Sequence, residues 1–425
     1  MPHGQTEGEH MLRGCAFSFF PLLMVVSGCR LEITVPEGGV VESASGTYYC
    51  GTGETCVIDV NDTHLDEEFI ARPDIGYVFN QWVKKPKGFC GNKSMPCPLS
   101  TTSFKNNNLL LSLLQSDEVF YLEPVFRKPD SYVPKRDMML GGASRATCAV
   151  NGKIYVFGSG WETGSPLDIT QEYDPATDIW AHRASMPSPR SWATATSLKG
   201  ECYVIGGSPG GLSLADVEVY NPKADSWRSA APIPEARFSA SSAVVDGKLY
   251  LIGGSGDFLG TFAAVHPDVF VYDPGADTWS AAADIPTPRR RMGVGVVNGR
   301  IYTIGGENQA AGVVESNVVE SYDPATNQWR SHARLPRAVT SPAVSVIHEH
   351  LYVFGGFSPA PAATANAYRY HPSTDQWRQI SSLSQARGDI SSERIGGQIF
   401  IVGGRAPDHN GVAFRSTESY APAPE

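Results

Sequence analysis

From about residue 131 onward the chain is written in short runs of Val, Ile, Leu and Tyr, broken by Asn-Gly, Asp-Gly, Gly-Gly and Asp-Pro. One stretch reads "ASSAVVDGKLYLIGG", then, after a loop, "VFVYDPGADTW" and "IPTPR". Runs of this length and composition, bounded by turn residues, predict β-strands. Four strands fit each stretch. The first leads into a two-residue hairpin turn at Asn151-Gly152, Asp246-Gly247 or Asn298-Gly299, a strong signal because both turn positions need positive φ. The second is "KIYVFG" and its copies, the third ends at the Tyr of "EYDP", and the fourth starts at a Trp. No stretch has room for a helix of normal length, so the expected fold class is all-β.

The pattern repeats. A Gly-Gly doublet, or its variant Gly158-Ser159, begins at Gly158, Gly206, Gly253, Gly305, Gly355 and Gly403, at intervals of 48, 47, 52, 50 and 48 residues. Periods in this range mark solenoids, propellers or arrays. A Tyr stands seven residues before a Trp in Tyr173/Trp180, Tyr220/Trp227, Tyr272/Trp279, Tyr322/Trp329 and Tyr370/Trp377. Tyr420 begins a sixth such pair, but the chain stops at Glu425. Each Trp lies 26 residues before the next doublet, and 26 residues before Gly158 stands Tyr132. The sixth unit is therefore split between the two ends of the array, with the strand from Tyr132 supplying what the last unit lacks. Met138 then aligns with Met186, Ile233, Ile285, Leu335 and Leu383. Six such sheets packed radially bury both faces of each sheet and leave only short edges.

These residues resemble the kelch repeat: a Gly doublet, then Tyr, then Trp, then a stretch such as Met186-Pro187-Ser188-Pro189-Arg190. The resemblance covers about 131–425 and implies a six-bladed kelch β-propeller, spanning 128–425 and closed by an N-terminal strand. It implies little about activity, because propellers host many.

Ahead of the ring the pattern changes. Residues 11–28 read "MLRGCAFSFFPLLMVVSG", an Arg followed by an apolar run long enough for a signal peptide and too short to span a bilayer. The run ends in Val26-Ser27-Gly28-Cys29, which resembles the lipobox of bacterial lipoproteins. That resemblance implies a signal peptide over 1–28, lipidation at Cys29 and export, with the anchor in the outer membrane, facing periplasm or surface; a simple secretory signal is the alternative. The start is open between Met1 and Met11. Residues 29–127 carry "YYCGTGETC", "ARPDIGYVFNQW" and "GFCGNKSMPC" and resemble the small Ig-like or InlB-type repeat domains of secreted bacterial proteins. An exported chain favours disulfides, so Cys50–Cys56 and Cys90–Cys97 are expected to pair, with a zinc site from the same four as the rival. In the ring, Cys202 aligns with Leu249, Ile301, Leu351 and Ile399, so Cys148 and Cys202 are expected as two buried thiols, a bridge being the alternative.

The chain is 41% hydrophobic and 18% charged with a formal net charge of −10. With no basic patch, this argues against nucleic acid. The loops between second and third strands, at 160–169, 208–215, 255–267, 307–317, 357–366 and 405–415, vary most and share one face by symmetry. They carry the ligand-binding candidates Trp161, Glu307, Phe357, Arg405 and His409, beside residues such as His266 and Arg415. Aromatic rings beside carboxylates and guanidinium groups suit glycan or peptide recognition. Arg190, Arg237, Arg289 and Arg387 recur ten residues after the Trp and read as repeat-building. Arg291, in "PRRRMGVGVV", and Arg405 resemble kelch positions that point into the channel, which implies a hold on acidic ligands. His348-Glu349-His350 falls on a hairpin turn and reads as surface, so no metal ligand set is expected, nor any cofactor. No serine-hydrolase elbow, P-loop, His-Glu-x-x-His or dinucleotide motif is present.

The leading expectation is a lipid-anchored binding protein whose loop face holds a glycan or protein, touching membrane only through its lipid. The alternative is a periplasmic sugar enzyme similar to the N-acetylneuraminate epimerases, with Glu307, His409, Arg291 and Arg405 as its acid/base and carboxylate-holding groups. A copper radical oxidase is disfavoured, because neither Cys148 nor Cys202 sits in a Tyr/His setting.

Overall fold

The computed structural model describes residues 29–423, apart from 61–63, 75–76, 102–107, 109–111, 113, 115, 160–166, 257–263, 309–313, 361 and 407–412. Residues 131–421 form six four-stranded antiparallel sheets, the blades. The first runs Ala146–Val150, Lys153–Phe157, Thr170–Asp174 and Ile179–Arg183, and four more repeat it in chain order. The sixth combines Ser391–Ile395, Gln398–Val402 and Thr417–Ala421 with Ser131–Lys135 from the other end of the array. The innermost strands pack each against the next, and that of the sixth blade packs against that of the first. The sheets thus make a ring around a central channel.

The repeated aromatics join neighbouring blades. Each Trp donates its indole N–H to a backbone carbonyl of the preceding blade: Trp180 to Arg136, Trp227 to Ala184, Trp279 to Ala231, Trp329 to Ala283 and Trp377 to Ala333, at 2.8 or 2.9 Å. The residue that supplies this carbonyl also donates its own N–H to a carboxylate or amide two positions before the Trp, as Ala184 does to Asp225 and Ala283 to Asn327. The same Asp or Asn accepts from the blade's Tyr, as Asp225 does from Tyr220 at 2.7 Å. Each junction therefore satisfies the polar atoms of an aromatic pair that is otherwise buried.

The closing junction reuses this arrangement with substitutes. Tyr420 donates to Asp130 at 2.6 Å, and the Tyr132 phenol donates to the Ser381 carbonyl at 2.7 Å, where the other blades use an indole. Ring centroids of Tyr132 and Tyr420 lie 5.1 Å apart, as do those of Tyr220 and Trp227. Tyr132 pairs with Tyr420 in register. Met138, Met186, Ile233, Ile285, Leu335 and Leu383 are all buried, as their alignment predicts.

The recurring arginines are structural. Arg190, Arg237, Arg289 and Arg387 are fully buried. Each donates to the carbonyl of the first Gly in the next doublet, namely Gly206, Gly253, Gly305 and Gly403. Buried charges need partners, and Glu218, Glu320 and Glu418 provide them for three of the four. In the third blade Phe270 takes the Glu position. Arg237 stacks over that ring at 4.7 Å and draws on Glu235 and Asp268 instead. The Gly doublets need positive φ at both residues, as at Gly206 and Gly207 (62° and 93°), and a Cβ on Gly206 would meet the Arg237 carbonyl at 2.4 Å.

One expectation is overturned. Cys148 and Cys202 are not two thiols: they pair, with Cα atoms 6.0 Å apart. Cys148 lies on the innermost strand of the first blade and Cys202 on the second strand of the next, so their side chains meet across the gap between blades. The aliphatic slot that Cys202 occupies is real, since it is fully buried, but it faces a neighbour that is also Cys.

Residues 29–127 form separate sheets, one ordering Thr55–Val60, Cys29–Thr34 and Val119–Leu122, another built on Gly39–Ser43 and Asp66–Pro73. They surround their own core, with Trp82 and Phe69 fully buried. Cys50–Cys56 and Cys90–Cys97 pair as expected. Cys29 opens the first strand, buried, with its thiol directed to the Val60 carbonyl at 3.5 Å; burial raises the thiol pKa.

Candidate functional site

Two positions in each unit ring one mouth of the channel, and there the backbone repeats while the side chains do not. The first, the collar position, lies twelve residues after the Trp or its stand-in Tyr132, which is two after the recurring Arg in the four units that carry one: Ser144, Trp192, Ser239, Arg291, Ser341 and Asp389. All six have left-handed φ, between 50° and 58°, a conformation that costs free energy outside glycine. The Trp192 N–H donates to Ser144, Ser239 to Trp192, Arg291 to Ser239 and Ser341 to Arg291, at 2.8–3.0 Å. These bonds link one blade to the next around the mouth, which is what holds the strained residues in place.

The second position follows the Gly doublet: Ser208, Ser255, Glu307, Phe357 and Arg405. Each exchanges two backbone hydrogen bonds with the residue preceding the collar position, namely Ser191, Phe238, Arg290, Thr340 and Gly388. The side chains at both positions are thus fixed to a rigid frame and free to differ in sequence.

In the fourth, fifth and sixth blades those side chains form one charged cluster. Arg290 Nε lies 2.8 Å from Glu307 Oε1, and Arg291 Nε lies 3.7 Å from the same oxygen. Arg405 Nε donates to Asp389 Oδ2 at 2.6 Å while its guanidinium lies 4.5 Å over the Phe357 ring. Gly388 makes room for that ring, since a Cβ there would meet it at 2.4 Å. Burial pushes the Asp389 carboxyl up, but Arg291, Arg405 and the Ser341 hydroxyl outweigh it and hold the group below the usual carboxylate range. Burial lowers the Arg290 pKa, with Glu307 opposing.

The structure brings Arg291, Arg405, Glu307 and Phe357 together but gives them unequal roles. Glu307 and Phe357 are each only 2% exposed. Phe357 is a support under Arg405 rather than an open platform. The Arg291 side chain, at 19% exposed, reaches furthest toward solvent among these. Trp161 and His409 lie outside the described residues. Sequence reasoning missed Arg290 and Asp389; for Asp389 a signal was present, since the position two after the recurring Arg varies from unit to unit.

The remaining candidates are accounted for locally. Arg415 donates to the Met138 carbonyl and braces the closing segment. His266 Nδ1 sits 3.4 Å from Glu235 and 3.5 Å from Asp268, a grouping with metal-ligand character. The same two carboxylates already face the Arg237 guanidinium at 3.3 and 3.7 Å. His348 and Glu349 form the expected hairpin turn, with φ of 47° and 63°. His350, however, is not a surface residue. It is 1% exposed, its Nδ1 is 2.7 Å from the His348 carbonyl, and its ring packs edge-on against His371.

As chemistry, the cluster is a preformed and largely compensated set of charges. Among the described residues of the cluster, both carboxylates are engaged by arginines, so neither is placed as an unencumbered base. The Arg291 fork keeps donors for a ligand at the mouth.

Comparison with known proteins agrees with this architecture. Residues 115–306 match the family described as KLHDC2/KLHL20/DRC7 Kelch-repeats domain, and residues 288–335 and 338–384 match the Kelch motif. The chain is 28% identical over 181 residues to Kelch-like protein 35 of Mus musculus, covering 42% of this chain and 30% of that protein. It is 34% identical over 85 residues to the Influenza virus NS1A-binding protein homolog of Mus musculus, covering 20% of this chain and 13% of that protein. The matches thus span less than a third of either relative. Among solved structures, "Structure of YjhT" superposes with a TM-score of 0.58 at 20% identity, covering 67% of this chain and 95% of that one; at that identity the likeness speaks to the fold. The chain carries kelch repeats and folds as a kelch-type propeller.

Proposed function

We propose that this chain is a binding protein that holds a protein or glycan ligand over the channel mouth. The observation that carries the proposal is the cluster of Arg290, Arg291, Glu307, Asp389 and Arg405, fixed on a frame that repeats while its side chains vary. Rigid, preorganised groups lower the ordering cost of binding. Engagement of both carboxylates by arginines favours recognition over the epimerase-type alternative, which needs a free acid/base pair. A relative named for a protein it binds points the same way.

The proposal includes export and a lipid anchor at Cys29, with 29–127 as a spacer domain before the propeller. The apolar leader and the three cysteine pairs suit an oxidising compartment. Incorporation of labelled palmitate into the full chain, abolished in Cys29→Ser, is the expected outcome.

The ligand test is a melting scan of the full chain against a panel of sugars, sialic acid included, and of envelope protein fractions. Ligand at ~100 times its dissociation constant stabilises by about 2.7 kcal/mol. A shift lost in Arg291→Ala places the ligand at the mouth. A shift that persists in Arg291→Ala moves the site elsewhere, and mutarotation of a free sugar would replace the binding reading with the enzymatic one.

A further inference from the structure

Around the mouth the collar alternates. Ser144, Ser239 and Ser341 take the first, third and fifth blades, and Trp192, Arg291 and Asp389 take the second, fourth and sixth. The Asp389 carboxylate already accepts from Arg405 at 2.6 Å. That leaves Trp192 and Arg291 as the large collar side chains outside this pair, with Ser239 between them.

Trp192 is the unexpected member. Its φ is 55°, a left-handed backbone that is an outlier for a bulky side chain. Strain of this kind is found where function needs it. The ring does not need an indole here. The bonds that hold the collar, from the Trp192 N–H to the Ser144 carbonyl at 3.0 Å and from the Ser239 N–H to the Trp192 carbonyl at 2.8 Å, are main-chain bonds. Three other blades complete the same frame with Ser.

The Trp192 side chain is half-buried. It packs on Phe238, with ring centroids 5.9 Å apart and planes tilted at 47°. Phe238 is itself buried, and the Arg290 guanidinium lies 5.9 Å from the same ring. Trp192, Phe238, Arg290 and Glu307 thus make one packed row across the second, third and fourth blades. The row holds the indole as Phe357 holds Arg405. On either side of Trp192 the collar carries only the short side chains of Ser144 and Ser239. The channel cavity, about 520 Å³, is lined from Ala193 and Met292 inward, the residues directly after Trp192 and Arg291. The collar therefore stands at the cavity's rim.

We propose that Trp192 is a stacking platform for a pyranose ring, whose C–H face lies on the indole while its oxygens reach the Arg291 fork. This rests on the reading of the mouth as a binding site and narrows its ligand to a glycan. A pyranose has an apolar C–H face and a rim of acceptor oxygens. An indole offers a large flat face for the first, and a guanidinium, all donors and no acceptor, suits the second. Both groups are carried one serine apart on hydrogen-bonded main chain, so their spacing is set before binding. An acidic peptide would use the arginine equally well but gives no reason for a strained indole beside it.

The experiment titrates the full chain with the methyl pyranosides of glucose, galactose, mannose and N-acetylglucosamine, and with a short Glu-rich peptide, reading indole fluorescence and melting temperature. Concentrations up to about 100 mM saturate even a Kd of about 1 mM. At least one pyranoside should give a saturable change. Trp192→Asn keeps a residue that tolerates left-handed backbone; it should melt close to the parent and bind that pyranoside about tenfold more weakly. Trp192→Phe should recover part of the loss. Pyranoside affinity unchanged in Trp192→Asn overturns the platform, and if Arg291→Ala also leaves it unchanged the binding mouth falls with it. No saturable response to any pyranoside overturns the platform as well; a peptide response lost in Arg291→Ala then shows that the binding mouth stands without it.

Discussion

Five blades are continuous in sequence and the sixth is assembled from both ends of the array, yet the two kinds share one geometry. The Trp180 indole bonds the Arg136 carbonyl at 2.9 Å, and the Tyr132 phenol bonds the Ser381 carbonyl at 2.7 Å. Tyr173 bonds Asp178 at 2.7 Å within its blade, and Tyr420 bonds Asp130 at 2.6 Å across 290 residues. What the comparison teaches is that the junction, rather than the chain connection, is the unit this fold repeats. A radial array with one missing outer strand would expose a sheet edge; an aromatic and an Asp, two positions apart at the other end, complete it. The closing blade differs in one respect: its strand arrives without a covalent turn, so its stability depends on contacts alone.

That difference can be broken in graded steps. Deleting 131–140 removes the closing strand and the buried Met138 together. The expected outcome is loss of the monomeric, cooperatively melting protein, read by light scattering and calorimetry; an unchanged monomer would mean the ring does not need this strand. Trp180→Ala empties a buried slot between continuous blades and should cost about 3–5 kcal/mol in denaturant unfolding. Replacing Cys148 and Cys202 together by Ala should cost about 2–4 kcal/mol, since the bridge closes a loop of 54 residues. Tyr132→Phe keeps the ring contact and removes only the bond to Ser381, so about 1 kcal/mol is expected. A Tyr132→Phe cost near that of Trp180→Ala would mean that the closing junction relies on its hydrogen bond far more than the others do.

The architecture was legible in the sequence because its determinants are local and repeated. Gly206, Tyr220 and Trp227 occupy fixed intervals, and Tyr132 could be placed by counting even though it is not a Trp. The candidate site was legible only in part. Arg291 and Arg405 could be singled out by their resemblance to kelch positions that point into the channel, while Asp389, which both of them face, sits after Arg387-Gly388 and looks like loop. Its role exists only across blades, and no sequence interval encodes which unit's collar residue meets which neighbour. The Cys148–Cys202 pairing was missed for the same reason: aligning units in register shows which slot a residue fills, not what it faces.

The most direct test of the closed ring is native-state hydrogen exchange on the full chain. If Ser131–Lys135 completes the sixth blade, its amides and those of Thr417–Ala421 should exchange only through global opening, with the same free energy as the third and fourth strands of the second blade. Exchange of Ser131–Lys135 at near-unprotected rates, while the other blades stay protected, would contradict the account and leave the propeller open at its sixth blade.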